Sequence, residues 1–147
     1  MKNESAITVD DPLQAVQEWF RTINRNCPAL DYDSTEDIFA PDVIGFGTRA
    51  LQVQTGLETL RRNQWERLWP TIRDYKIDMD SVHAGGSDTL AWGVAVWTSI
   101  GFDEQGRSYP RPGRVTTILE RRDGRWLSVH THFSVVPGTP PFSYGPK

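Results

Sequence analysis

The segment "RRDGRWLSVHTHFSVVPG", residues 121–138, constrains the fold more than any other stretch. Asp123-Gly124 is a hairpin signal between two runs of strand-forming residues. Two registers compete. A two-residue turn pairs Arg122 with Arg125, which sets Leu127 beside Glu120 and Phe133 beside Arg114. A three-residue loop, Arg122-Asp123-Gly124 with Gly124 left-handed, pairs Arg121 with Arg125. It gathers Leu119–Leu127, Thr117–Val129 and Val115–Thr131 on one face, and Glu120–Trp126, Ile118–Ser128 and Thr116–His130 on the other. Register follows the buried face, so the three-residue loop is the expectation. It directs Leu127, Val129, Thr131, Phe133 and Val135 at the core, and His130 and His132 away from it.

Upstream the apolar period changes. "DPLQAVQEWFRTINRN" opens with Asp11 as N-cap and Pro12 at the first helical position. Leu13, Val16, Phe20 and Ile23 make one stripe at spacings of three and four. "DSTEDIFA" reads as a short second helix ended by Pro41, and "DVIGFGT" as a strand. "TGLETLRRNQWERLWP" reads as a third helix, with Leu57, Leu60, Trp65, Leu68 and Trp69 inward and Pro70 as its stop. Strand signals follow in "YKIDMDSVHA", "TLAWGVAVWTSIGF" and "RVTTILERR". The order α-α-β-α-β-β-β-β predicts an α+β fold, three N-terminal helices packed on a curved antiparallel sheet. A length of 147 residues suits one domain. We expect an ordered core over about residues 10–138 with loose ends.

Composition narrows the functions. A net charge of −3 gives no electrostatic reason to bind nucleic acid or an anionic membrane. The start, "MKNESAITVD", lacks an apolar leader core, and no apolar run is long enough to span a bilayer. A lone cysteine, Cys27, excludes an internal disulfide and is read as a buried thiol. The expectation is a cytoplasmic protein without a cofactor. Six tryptophans are many for this length and point to a large core or an aromatic-lined cavity.

The element order, with "FAPDVIGFGT…TGLETLRRNQWERLW" and "ERRDGRWLSVHTHFSVVPG", resembles the nuclear transport factor 2-like superfamily. Within it the chain is similar to SnoaL-like, ketosteroid-isomerase-related proteins, and to the association domain of calcium/calmodulin-dependent protein kinase. The resemblance spans residues 10 to 138. It implies a sheet wrapped around a long helix as an open cone, a cystatin-like α+β roll, with a pocket inside and dimerisation through the outer face.

The isomerase machinery that this resemblance implies is missing here. Trp19 stands where those enzymes carry a tyrosine donor, and an indole N–H lacks a phenol's acidity. Their basic aspartate falls near Gly47, leaving Asp42 as the nearest carboxylate and the one weak catalytic candidate. Their second donor falls in apolar "WGVAV". The arginines inside the kinase association domain correspond to Val94, Thr117 and Phe133. The implied pocket is apolar, formed by Trp19, Phe46, Trp65, Trp92, Val94, Thr117, Thr131 and Phe133, and suits a small hydrophobic or polyketide-like ligand.

Two functions follow as expectations. One is a SnoaL-like protein that binds such a ligand, with isomerase- or cyclase-type activity in reach. The other is a non-catalytic assembly module. In either, Trp97, Thr116, Ile118, Trp126, Ser128, His130 and His132 form a mixed polar and aromatic outer face suited to a homodimer interface. His130 and His132 could share a metal at alternate strand positions, but no third and fourth ligand is placed beside them (His83 is the one further histidine), so no metal is expected. The arginines at 107, 111, 114, 121, 122 and 125 read as solvated charges at strand ends, with an anion patch as the alternative.

Overall fold

The first helix is built as its caps dictate. The computed structural model describes residues 5–147. In α1, Pro12–Ala29, the Asp11 side chain accepts from the Leu13 N–H at 3.1 Å, and Leu30 ends the helix in the left-handed region at φ 55°. Val16, Trp19, Phe20, Ile23 and Cys27 are buried along one side. Each such side chain contributes about 1.5–3 kcal/mol on burial.

The expectation of three N-terminal helices is not met. One long helix stands at the N-terminus, followed by a five-residue α2, Tyr32–Glu36. The second substantial helix comes only after the first strand, and it is broken. It runs as α3, Leu57–Leu60, a π-helical turn Arg61–Trp65, α4, Glu66–Leu68, and a 3₁₀ turn Trp69–Thr71. The wider turn has a packing cause. Leu60, Gln64 and Trp65 are all buried, and the extra residue brings Trp65, five on from Leu60, onto the same face.

The strands are β1 (Phe39–Phe46), β2 (Gln54–Thr55), β3 (Arg73–Ile77), β4 (His83–Gly86), β5 (Leu90–Phe102), β6 (Ser108–Pro110), β7 (Gly113–Arg122) and β8 (Arg125–Val135). They form one unclosed sheet in the order β2-β1-β8-β7-β5-β3, with β4 and β6 also on β5. It is not wholly antiparallel, because β1 runs parallel to β8.

The last hairpin corrects the predicted register. Arg122 pairs with Arg125 across a two-residue turn, in which Asp123 (φ 50°) and Gly124 (φ 76°) are both left-handed. A bulge removes the mismatch at Phe133, which comes to pair with Val115, while Leu127 keeps Glu120 opposite it: Leu119 pairs with Ser128, but Ile118 pairs with His130, leaving Val129 extra. The bulge reverses the faces. Before it Trp126 and Ser128 point inward; after it Thr131 and Phe133 do. Trp126 and Ser128 are fully buried, and so are not on the outer face.

The ends are tied to this sheet rather than loose. The Trp126 amide donates to the Ile7 carbonyl and its indole to the Val9 carbonyl at 2.8 Å. At the other end Ser143 Oγ accepts from the Phe102 amide at 3.0 Å and donates to the Thr71 carbonyl at 2.6 Å. The part of that expectation concerning residues 1–4 lies outside the described residues.

Candidate functional site

β5 decides what faces the cone. Ala91, Gly93, Ala95, Trp97 and Ser99 are buried against the helices, while Leu90, Trp92 and Val96 are 46–49 % exposed on the other side. Trp92 and Val94, expected in the pocket, therefore point outward, and Trp97, expected at the interface, points inward. The parity has a physical cause. A Cβ at position 93 would lie 2.4 Å from Val16 Cγ1, so α1 approaches too closely for large residues to face it. Small residues go inside and the large ones are left out.

Beyond α1's closest approach the cone opens into a cavity of about 30 Å³, room for one or two water molecules. The helical side supplies Leu60, Gln64, Trp65 and Trp69, and the sheet supplies Trp97, Thr131 and Phe133. Phe46 sits at the rim, lining the cavity while its ring packs against His132 at 5.1 Å. Of the predicted pocket residues, Phe46, Trp65, Thr131 and Phe133 thus come together on the wall. Trp19 and Thr117 are buried beside it without lining it. Their polar atoms are already used: the Trp19 indole donates to the Ile38 carbonyl at 3.2 Å, and Thr117 Oγ1 bonds Ser128 Oγ at 2.9 Å.

The polar end of the cavity was not anticipated. Arg111, read as a solvated strand-end charge, is fully buried on the cavity wall. Its amide donates to the Ser99 carbonyl at 2.8 Å, and Ser99 Oγ donates back to the Arg111 carbonyl at 2.7 Å. That pairing continues the β5–β6 ladder, so Arg111 inherits the inward face of Ser99. Its Nη2 donates to Thr48 Oγ1 at 3.0 Å and to the Pro141 carbonyl at 2.9 Å. Nε and Nη1 have no partner among the described residues, nor has Tyr75 Oη or Trp97 Nε1. Tyr75 and Trp97 line the same cavity with their rings 5.3 Å apart, and the guanidinium lies 5.7 Å from the Trp97 ring. Burial draws the Arg111 pKa down from its ordinary value, and burial pushes the Tyr75 phenol well up, which keeps it a donor.

Asp42 lies elsewhere. Its carboxylate bonds the Arg122 guanidinium at 2.8 and 3.3 Å, with the side chain 70 % exposed, and hydrogen bonding to Arg122 holds its pKa below the usual range. The cavity wall contains neither a carboxylate nor an imidazole.

On the outer face two rows of neighbours cross the sheet. One runs Trp92, Ile118, His130, Ile44; the other runs His83, Val94, Thr116, His132, Phe46. Thr116, Ile118, His130 and His132 are on the predicted face. His83 and His132 are three strand spacings apart, about 14 Å. Among the described residues no three histidine, cysteine, aspartate or glutamate side chains gather as a metal site. No helix among them is long and apolar enough to cross a membrane.

An unclosed sheet around a long helix, with a cavity inside, is the architecture of nuclear transport factor 2-like proteins, and solved structures agree. A nuclear transport factor 2-like superfamily protein from Salmonella enterica matches with a TM-score of 0.72 at 16% identity, covering 86% of this chain and 92% of that one. A candidate calcium/calmodulin-dependent protein kinase II association domain from Xanthomonas campestris matches at 0.71 and 24% identity, over 88% and 91%. A candidate scytalone dehydratase from Novosphingobium aromaticivorans matches at 0.72 and 13% identity, over 91% of each chain. Within that class the chain belongs to the SnoaL-like domain family, whose pattern it matches over residues 13–138. No curated protein matches it.

Proposed function

We propose that the chain binds a small, largely hydrophobic molecule inside the cone, and that binding rather than proton transfer is what the cavity is built for. The observation that carries this is the wall itself: aromatic and aliphatic side chains closing on a few unpartnered donors, with no carboxylate or imidazole to serve as a base. Isomerase- or cyclase-type activity would need a base from the ligand or from outside this wall. The available volume of about 30 Å³ means that a ligand must displace side chains. The wall element carrying Gln64 and Trp65 is a π-helical turn, a rare winding within a helix.

Tryptophan fluorescence tests this, because Trp65, Trp69 and Trp97 all line the cavity. Saturable quenching by small aromatic molecules is expected, and it should be lost in Phe133→Trp, which fills the space. Equal quenching in that variant would remove the cavity assignment.

A second reading rests on a different observation. Ile44, Phe46, Trp92 and Val96 are 36–47 % exposed on one sheet face, interleaved with Thr116, His130 and His132. Apolar area of this kind on a sheet suits a second copy of the chain, packed face to face as a homodimer. The kinase association domain among the similar structures is in keeping with it. Sedimentation at micromolar concentration is expected to give a dimer, and a monomer there would refute it.

A further inference from the structure

We infer that the molecule held in the cone carries one carboxylate, and that Arg111 receives it with Tyr75 and Trp97 as flanking donors. The inference rests on the cavity-binding reading above and specifies its ligand.

Three independent features converge. First, a guanidinium is fully buried and no carboxylate among the described residues pairs with it; Nη2 donates to two neutral oxygens, and the one further polar neighbour, the Tyr109 hydroxyl, is neutral too. A buried cation is ordinarily matched by an anion, because water no longer stabilises it. Second, four of the five buried side-chain donors left over among the described residues belong to residues of one cavity wall: Arg111 Nε and Nη1, Tyr75 Oη and Trp97 Nε1, the fifth being Asn26 Nδ2 outside it. Four donors and a positive charge fit an acceptor with several lone pairs and a negative charge. A neutral carbonyl has two lone pairs and leaves the charge unmatched. Third, the guanidinium is held on its far side. Thr48 Oγ1 takes Nη2 and also accepts from Gln64 Nε2 at 3.2 Å, tying the arginine to the π-helical turn. The Pro141 carbonyl fixes it from the C-terminal segment, which Ser143 and the Tyr109 hydroxyl hold in place (Tyr109 Oη to the Phe142 carbonyl, 2.7 Å). A side chain anchored through one nitrogen, with the other two unpartnered, is pre-positioned rather than merely enclosed.

The rest of the wall defines the rest of the ligand. Phe39, Leu60, Leu68, Ile72 and Phe133 offer no polar atoms, so the body attached to the carboxylate is apolar, an aromatic or short branched acid. Phosphate esters and dicarboxylates are disfavoured, since a second charge would find no cation on this wall.

The test is a matched pair, benzoate and benzamide, titrated by tryptophan fluorescence and by calorimetry into the wild-type protein. Benzoate is expected to bind tighter by roughly ten- to hundredfold, the range for hydrogen bonds to a charged partner. Arg111→Met should abolish that preference while still binding benzamide, and Tyr75→Phe should weaken benzoate alone by several-fold. Equal affinity for the two in the wild type overturns the carboxylate assignment and leaves the cavity reading standing. Failure of both to bind, up to millimolar concentration, overturns the cavity reading itself. The wild-type comparison decides the question even where a variant does not fold.

Discussion

Arg111→Met is expected to make the ligand-free protein more stable, because the guanidinium is kept for a partner rather than for the fold. The magnitude follows from its surroundings. Met keeps an unbranched apolar stem of similar reach. The substitution gives up two hydrogen bonds from Nη2, at about 1.5–2 kcal/mol each for a charged donor. It also gives up the contact with the Trp97 ring, at about 1 kcal/mol. Against those losses of about 4–5 kcal/mol, it removes the cost of a buried cation with unpartnered donors, several kcal/mol. The thioether adds about 2 kcal/mol of apolar burial. The balance favours the variant by about 1–2 kcal/mol, a rise in Tm of about 3–6 °C for a chain of this size. The depressed Arg111 pKa agrees in sign: a base whose folded-state pKa lies below its unfolded one is destabilised in its charged form, so removing it helps at every pH where it is charged. Thermal denaturation followed by circular dichroism measures it directly. A Tm that falls on substitution would show that Thr48, Pro141 and Trp97 already satisfy the guanidinium. It would also remove the reason to look for an anion.

Four further outcomes are expected. Gly113→Ala places a Cβ 2.1 Å from Trp97 Cζ2 and 2.3 Å from the Ser134 carbonyl; it should cost more than about 2 kcal/mol and perturb the near-ultraviolet tryptophan signal, and unchanged stability would mean the Trp97 ring is free to move. Trp92→Glu should convert a dimer to a monomer without lowering the melting temperature of the subunit, whereas an intact dimer would put the interface elsewhere. Asp42→Asn should weaken the fold slightly at pH 7, with the difference shrinking as the pH falls below about 4. Its carboxylate is held below its ordinary range, so its contribution is present above the unfolded-state value and lost on acidification; a difference that grows in acid would contradict the pairing with Arg122. Cys27 is buried and desolvation raises its thiol pKa far above the usual range, so a disulfide reagent should label it rapidly only in denaturant.

The turn chemistry was legible in the sequence and the bulge was not. Asp123-Gly124 names a two-residue turn, and the structure uses it. That register was set aside because it mismatches Leu127 and Phe133, and the mismatch is real. At Leu127 it stays, opposite Glu120; at Phe133 the chain resolves it by leaving Val129 unpaired, a device that a period-two reading of a strand cannot express. Faces were therefore readable beyond the bulge, at His130 through Phe133, and inverted before it, at Trp126 and Ser128. The long helix, its Asp11 N-cap and the burial of Val16, Phe20 and Ile23 were legible because they depend on local spacing alone, whereas Leu13 of the same stripe, in the first turn, is exposed.

β5 carries the deeper lesson, since one parity error there displaced the site. "LAWGVAVWTSIGF" is apolar at both odd and even positions, so hydrophobicity cannot choose a face, and bulk suggests that Trp92 and Val94 go inside. The helix chooses instead: α1 lies close enough to exclude any Cβ at position 93, and the row of small residues, Ala91, Gly93 and Ala95, is the one that can meet it. Trp97 and Ser99 then follow inward, and Ser99 fixes Arg111 opposite itself. In a sequence, Arg111 stands between two prolines in a loop with no periodicity to place it. Counted from Gly93 through Ser99, it falls on the inner face. The same step that puts a buried cation in the cavity leaves Trp92 and Val96 exposed on the outside. The cone's polar end and its apolar outer face are thus consequences of a single choice, the close packing of α1 on β5. A substitution that loosened that packing, Gly93→Val, should disturb both at once: ligand preference inside and self-association outside. If one changed without the other, the two surfaces would not share this cause.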